Sequence, residues 1–286
     1  MEAVLTASET DLAPFARIST EVRHANRVSD NDLVDLAAGR VLAIVVEDYC
    51  PPELCREAAR KLINDHRYGE YDNVPGVHKW GLNTYEGLSS AEREQRYFAE
   101  AVPAIQALRD SWSPHLSPID RLRLELQEAW PAGANMGFFK GHKLFVGQAR
   151  VFPSGGNGAI PHQDFLPWEL QDLNGVTDVG EVPTLVGQLT VNLYLQTPAS
   201  GGELELWAHG YDHDEYDALR ASADSYGLNR ELVPAPDAVL RPIAGMLIMF
   251  HASRVHAVRP AQGVDRVALS SFIGVHALDQ PLTYWS

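Results

Sequence analysis

Two histidines and one aspartate set out the chemistry open to this chain. His162 and Asp164 flank Gln163, and His256 lies far downstream. Two imidazoles and one carboxylate can occupy one face of an Fe(II) octahedron, which leaves three positions for a co-substrate and O2. Arg266 comes ten residues after His256, where a guanidinium could grip a distal carboxylate in two-pronged fashion. Other histidines compete for these roles. His251 follows a strong apolar run and could stand in for His256. His209 and His213 sit among Asp212, Asp214 and Glu215 and could mimic a second metal site. Acidic turns attract exposed histidines without any metal, so a solvated loop is the expectation there.

Such ligands need strands to aim them. On a strand, positions i and i+2 point the same way, so a strand over 159–164 would send His162 and Asp164 into one pocket. His256 would come from a later strand lying close by. The run 188–196 alternates without a break: Leu189, Val191, Leu193 and Leu195 face one way. Gln188, Thr190, Asn192, Tyr194 and Gln196 face the other, as they would if that face lined a wet pocket. Further short strands are expected over 145–152, 201–207, 240–242, 245–250 and 266–275, with Gly and Pro turns between them. Arg266, Ala268, Ser270 and Phe272 would share one face of the last strand. The stretch at about 208–237 reads as an insertion, helical from Asp214 to Ala223.

Ahead of this region the pattern is different. Ser29 to Asp32 offers N-cap chemistry for a helix from residue 33, and Gly39 offers a C-cap. Residues 41–46 read as a buried strand, and 51–63 as a helix with proline at its start. Residues 67–88, rich in Gly, Tyr, Trp and Asn, suggest a long loop forming a wall or lid. Residues 89–130 show helical spacing broken near Pro114 and Pro118. The expected fold is mainly β with flanking helices: a double-stranded β-helix (jelly roll, cupin-like) with a helical N-terminal half. One domain would span 1–286, with 1–143 as support and 144–286 as the jelly-roll core.

Composition narrows the function classes. The chain has 286 residues, a 45% apolar fraction and a 21% charged fraction, ordinary for a folded globular protein. A net charge of −15 argues against non-specific nucleic-acid binding, which needs clustered Lys and Arg. Cys50 and Cys55 make no disulfide framework, so a reducing cytoplasm is expected. The first twenty residues show no basic region followed by an apolar run, and no apolar stretch approaches membrane-spanning length. Nothing in the sequence indicates the oligomeric state.

The motifs carry a resemblance. His162-Gln-Asp164, the double glycine Gly201-Gly202, and His256-Ala-Val-Arg-Pro with Gly263 and Arg266 together resemble the iron- and 2-oxoglutarate-dependent oxygenases. The closing run from His256 through Gly263 to Arg266 favours His256 over His251, and Gly245, Leu247 and Phe250 also match that family's approach to it. Asp48-Tyr49 before Pro52-Glu-Leu-Cys55 looks like the family's usual opening. The C-terminal part is most similar to the prolyl-hydroxylase-like branch. The resemblance implies Fe(II) held by His162, Asp164 and His256, with 2-oxoglutarate chelating it and O2 as oxidant. Arg266 would hold the C5 carboxylate, and Gln148, Thr190 and Tyr194 are candidates to steady the co-substrate. Family members often have a tyrosine where this chain reads Val151-Phe152, which puts that contact in doubt. Halogenating relatives lack the carboxylate, so Asp164 implies hydroxylation.

The implied reaction hydroxylates an unactivated C–H bond and releases succinate and CO2. The implied partner is a small amino-acid-like molecule. A peptidyl or carrier-bound residue is the nearest rival, and a silent jelly-roll metal-binding protein is the alternative of a different class. His78, Trp80, Asn83, Tyr85, Phe165, Trp168 and Glu169 could build the substrate pocket. Glu169 or Glu203 could meet a cationic group, and Arg150 or Arg254 could hold a substrate carboxylate.

Overall fold

The computed structural model describes residues 14–72, 74–172, 184–222 and 225–286. Residues 1–13 lie outside these. So does Ala223, the expected end of the inserted helix.

The first half runs β1 (Val22–Ala25), α1 (Asp30–Ala37), β2 (Ala43–Val46), α2 (Pro52–Ile63), β3 (Tyr68–Glu70) and β4 (His78–Trp80). Then come α3 (Thr84–Gly87), α4 (Ala91–Trp112), α5 (Pro118–Ala129), β5 (Ala134–Met136), β6 (Phe138–Phe139) and β7 (His142–Lys143). The Ser29 side chain accepts from the Asp32 backbone N–H and caps α1. In α2, Cys55, Ala58, Ala59 and Leu62 form one buried stripe at helical spacing. In α4 the buried stripe is Tyr97, Ala101, Ala104, Ile105, Leu108 and Trp112, while Pro103 stays on the exposed side. No helix among the described residues is long and apolar enough to cross a membrane.

The second half runs β8 (Gln148–Phe152), β9 (Ala159–His162), α6 (Leu166–Asp172), β10 (Gly187–Gln196), β11 (Ser200–Gly201), β12 (Leu204–Leu206) and α7 (His213–Ala218). It closes with β13 (Ala238–Leu240), β14 (Leu247–His251), β15 (His256–Val258), β16 (Ala261–Gln262), β17 (Arg266–Val275) and β18 (Leu282–Trp285). The larger sheet has the order β1-β2-β14-β10-β17-β8-β4-β3, and the smaller has the order β13-β12-β15-β9. The two sheets face each other as in a jelly roll. Leu189, Val191 and Leu193 of β10 pack into the core shared with the helices. Tyr194 faces the other way and packs on Leu204, Leu206 and Phe250 between the sheets.

The helical N-terminal half is corrected. Its helices are interleaved with seven strands, and β1 to β4 extend the larger sheet at both edges. The expected loop over 67–88 is corrected with it. Tyr68–Glu70 and His78–Trp80 pair as a hairpin, and β4 pairs in turn with β8. That pairing is long-range, so local composition does not reveal it.

His251 closes β14 on the helical side of the sheet. Its Nε2 lies 2.6 Å from the Leu36 carbonyl, so it points away from the space between the sheets. Burial, together with the charge of Arg254, pushes its pKa down to about 3. An unfolded chain would protonate this histidine near pH 6.5. The depressed folded value therefore gives stability that is present above about pH 6.5 and declines as pH falls toward 3. By pH 5 the loss from this residue should reach about 2 kcal/mol. Urea unfolding at pH 7.5 and pH 5 should show that difference shrinking by a similar amount in His251→Gln. An unchanged pH dependence in the variant would contradict this.

Candidate metal centre

The centre is assembled by strand register. β9 and β15 pair antiparallel in the smaller sheet, with His162 directly opposite His256. The two ring centroids are 4.2 Å apart. Asp164 lies just past the end of β9, where its backbone N–H donates to the Ala252 carbonyl at 2.9 Å. That bond turns its side chain back toward the histidines. Asp164 Oδ2 is 3.4 Å from His256 Nε2 and 4.0 Å from His162 Nε2. One ligand atom from each of the three residues lies within 4.8 Å of the others, and no other such cluster occurs among the described residues.

The turn before β9 depends on Gly158. Its φ is +71°, and a Cβ there would strike the Val258 carbonyl of the paired strand. Gly158→Ala should therefore destabilise the protein by roughly 2 kcal/mol or more, since backbone strain and a clash combine. It should also weaken metal binding, because the β9–β15 register sets the histidine spacing. Thermal unfolding with and without metal reads both effects; wild-type behaviour in both would sink this account of the turn.

Proton placement suits a metal. His162 Nδ1 is 2.8 Å from the Ile160 carbonyl, and His256 Nδ1 is 3.0 Å from the Arg254 carbonyl. A carbonyl only accepts, so each Nδ1 carries the proton and each Nε2 presents its lone pair to the centre. Burial, reinforced by His256, pushes the His162 pKa down to about 4. Burial alone would raise the Asp164 carboxyl, but contact with His256 and the charges of His162 and Arg150 hold it well below the ordinary carboxylate range. Asp164 Oδ2 is buried and receives no hydrogen bond. Two imidazole Nε2 atoms and one ionised carboxylate thus converge, and the opposite side is open to a cavity. The donor set fits a divalent first-row metal with open positions.

Arg266 lines the same cavity. It opens β17 opposite Phe152 of β8. Its guanidinium carbon lies 5.0 Å from the Phe152 ring centre and 4.9 Å from that of Tyr194. Nη2 donates to the Tyr194 hydroxyl at 3.3 Å, whereas Nε is buried without a partner. The residue is only 2% exposed, and no described carboxylate pairs with it. A buried cation with no counter-ion is costly unless an anion arrives.

Among the other candidates, Thr190 lines the cavity and Tyr194 lies beneath Arg266. Gln148 does not line it: its Oε1 accepts from the Tyr71 hydroxyl at 2.7 Å, while Nε2 is buried and unpaired. Phe152 stands where the family tyrosine was expected and stacks on Arg266 instead. Asn83, Tyr85, Phe165, Trp168, Glu169 and Arg150 line the cavity. His78 is bound to the Tyr68 hydroxyl and Trp80 donates to Asp65, both away from it. Glu203 does not line it either, and Arg254 donates to the Ala16 carbonyl. His209 meets the Tyr211 hydroxyl, and His213 packs edge-on against Trp168.

One cavity pair had its strand faces read from sequence but was given no task there. Ser270 Oγ donates to Asn192 Oδ1 at 2.5 Å, and both residues line the cavity. Strand parity puts Asn192 on the face of Thr190 and Ser270 on the face of Arg266, as the sequence analysis expects. Tyr226 lies against His162, with ring centroids 5.5 Å apart. It comes from the inserted stretch, and no local signal places it there. The cavity, about 220 Å³, is near the small end of ligand pockets.

No family model matches the sequence, and no curated protein matches it. Among solved structures the chain is similar to an N-substituted L-amino acid dioxygenase from Burkholderia ambifaria AMMD, with a TM-score of 0.59 and 17% identity over 90% of this chain and 91% of that one. The structure of that dioxygenase in complex with alpha-KG aligns with a TM-score of 0.56 at the same identity and coverage. The chain therefore shares its fold with an amino acid dioxygenase.

Proposed function

We propose that the chain is an Fe(II)- and 2-oxoglutarate-dependent oxygenase that hydroxylates an unactivated C–H bond of a free amino acid or similar small metabolite. The observation that carries this reading is one cavity with two features: a convergent His162, Asp164 and His256 set, and a buried Arg266 with no counter-ion among the described residues. When bound, iron and 2-oxoglutarate would activate O2, with succinate and CO2 released and one oxygen atom delivered to the substrate.

The residues' tasks follow from their placement. His162 and His256 offer Nε2 atoms locked in direction by their Nδ1 bonds. Asp164 supplies the single negative ligand. Arg266 takes the distal carboxylate of the co-substrate, and its stacking on Phe152 and Tyr194 keeps the guanidinium from collapsing elsewhere. Thr190, Asn192 and Ser270 give the cavity floor its polar contacts. Phe250 and Leu204 keep the adjoining wall apolar and limit water. Cavity size favours a small metabolite over a peptide segment. The similar Burkholderia ambifaria protein is named for N-substituted L-amino acids, which supports the substrate class.

The test is succinate release in air with Fe(II), 2-oxoglutarate and a panel of L-amino acids and their N-substituted forms. Mass spectrometry would follow the products. Stimulation by one compound with a gain of one oxygen atom is the expected result. Slow release that no panel member stimulates would point to a peptidyl or carrier-bound substrate. No release despite bound iron would favour a metal-binding protein without oxygenase activity.

A further inference from the structure

Arg150 stands beside the metal centre without a task in the reading above, on which this inference rests. It lies on the cavity face of β8, paired with Ala268 of β17. Its guanidinium carbon is 5.0 Å from the Phe272 ring centre, further along β17 than its own register partner. Arg266 lies two residues before Ala268 on β17 and stacks instead between Phe152 and Tyr194. The two guanidiniums rest on different rings, so they present two distinct cationic positions to the cavity. The co-substrate's distal carboxylate accounts for one of them.

The carboxylate nearest to Arg150 is a poor permanent partner. Nη1 is 3.9 Å from Asp164 Oδ2, beyond hydrogen-bond reach, and that oxygen is the one offered to a metal. Burial would lower the Arg150 pKa, but Tyr71, Asp164 and Glu169 outweigh it and keep the side chain charged. Arg254, the other sequence candidate, donates to the Ala16 carbonyl at 2.8 Å and to Ser253 Oγ at 3.0 Å and does not line the cavity.

Charge balance narrows the ligand. The cavity is lined by Arg150, Arg220 and Arg266 and by Asp164, Glu169 and Asp217, so these charges cancel. Fe(II) and doubly ionised 2-oxoglutarate also cancel. A substrate with net charge would then sit uncompensated in a partly desolvated site, whereas a dipolar neutral one would not. We propose that Arg150 anchors the substrate's own carboxylate, and that the cavity selects a small, net-neutral amino acid with that carboxylate free.

The experiment uses the full chain loaded with Mn(II) and 2-oxoglutarate. Thermal shift and then calorimetry would be run with the proteinogenic L-amino acids, their carboxamides and their N-acetyl forms. At least one free acid should bind, and its carboxamide should bind far more weakly. Arg150→Gln should lower the affinity for that acid at least about 30-fold, the loss expected when one partner of a buried charge pair is removed. Arg150→Lys should recover part of it. The fall for the acid should far exceed any change in 2-oxoglutarate affinity.

Equal binding of acid and carboxamide would overturn the proposal, as would undiminished acid binding by Arg150→Gln. A parallel collapse of 2-oxoglutarate binding would reassign Arg150 to the co-substrate. Binding confined to N-acetyl acids would replace the neutral ligand with an anionic one, and no binding by any panel member would remove amino acids as the class. If the wild-type protein takes up neither Mn(II) nor 2-oxoglutarate, the oxygenase reading itself falls, and this inference falls with it.

Discussion

Replacing Asp164 with alanine is expected to abolish turnover and to weaken Fe(II) or Mn(II) binding by more than about 100-fold. Even outer partners of metal ligands are worth 10- to 100-fold in affinity, and Asp164 is the only negative group in the cluster. Its loss leaves two imidazoles, whose Nε2 atoms still converge across the β9–β15 pair. Residual weak binding by His162 and His256 is therefore the predicted remainder, rather than none. Metal titration by calorimetry, alongside unfolding in the absence of metal, separates ligand loss from a damaged fold. Full activity in Asp164→Ala would show that the cluster does not hold the metal.

The second large effect concerns Arg266. Arg266→Met should cost about 2–5 kcal/mol of 2-oxoglutarate affinity, because it deletes the charged partner of a buried carboxylate. The same change should leave the ligand-free protein as stable as wild type, or more so. The native guanidinium is 2% exposed, has an unpaired Nε and has no described counter-ion, whereas a thioether of similar length fills the slot between Phe152 and Tyr194. A gain or tie in stability together with a loss in binding marks a residue kept for its ligand. A severe fall in the ligand-free melting temperature would assign Arg266 to the fold instead. Retained 2-oxoglutarate affinity would remove it from the co-substrate site.

Much of the centre was legible because strand parity is a strong constraint. The i, i+2 spacing predicts His162 and Asp164 in one pocket, which they share although β9 ends at His162, and the alternation in β10 puts Thr190 and Asn192 on the cavity face. The choice between His251 and His256 was not settled by spacing. In the structure, His251 shares the face of Leu247 and Met249 and meets the Leu36 carbonyl, while His256 pairs with His162. Gln148 shows where parity stops. It lies on the correct face of β8, but Tyr71 claims its carbonyl oxygen, and it stays outside the cavity lining.

Long-range assembly was the illegible part. The β3–β4 hairpin has short strands with little local signal and exists because β8 offers it an edge. The inserted stretch reads from sequence as a loop and helix, with His209, His213 and their acidic neighbours in a solvated turn. Its Tyr216, Asp217, Arg220 and Tyr226 instead close over the cavity, and Asp212 caps α7 through a reciprocal capping box with Glu215. The acidic residues there do two jobs, local capping and cavity lining, and a charge pattern alone does not separate them.

The most direct measurement is a crystal structure of the anaerobic protein with Mn(II) and 2-oxoglutarate. The account predicts one metal bound by His162 Nε2, His256 Nε2 and an Asp164 oxygen. It also predicts a 2-oxoglutarate whose distal carboxylate pairs with the Arg266 guanidinium. Metal bound elsewhere, or 2-oxoglutarate seated away from Arg266, would contradict it.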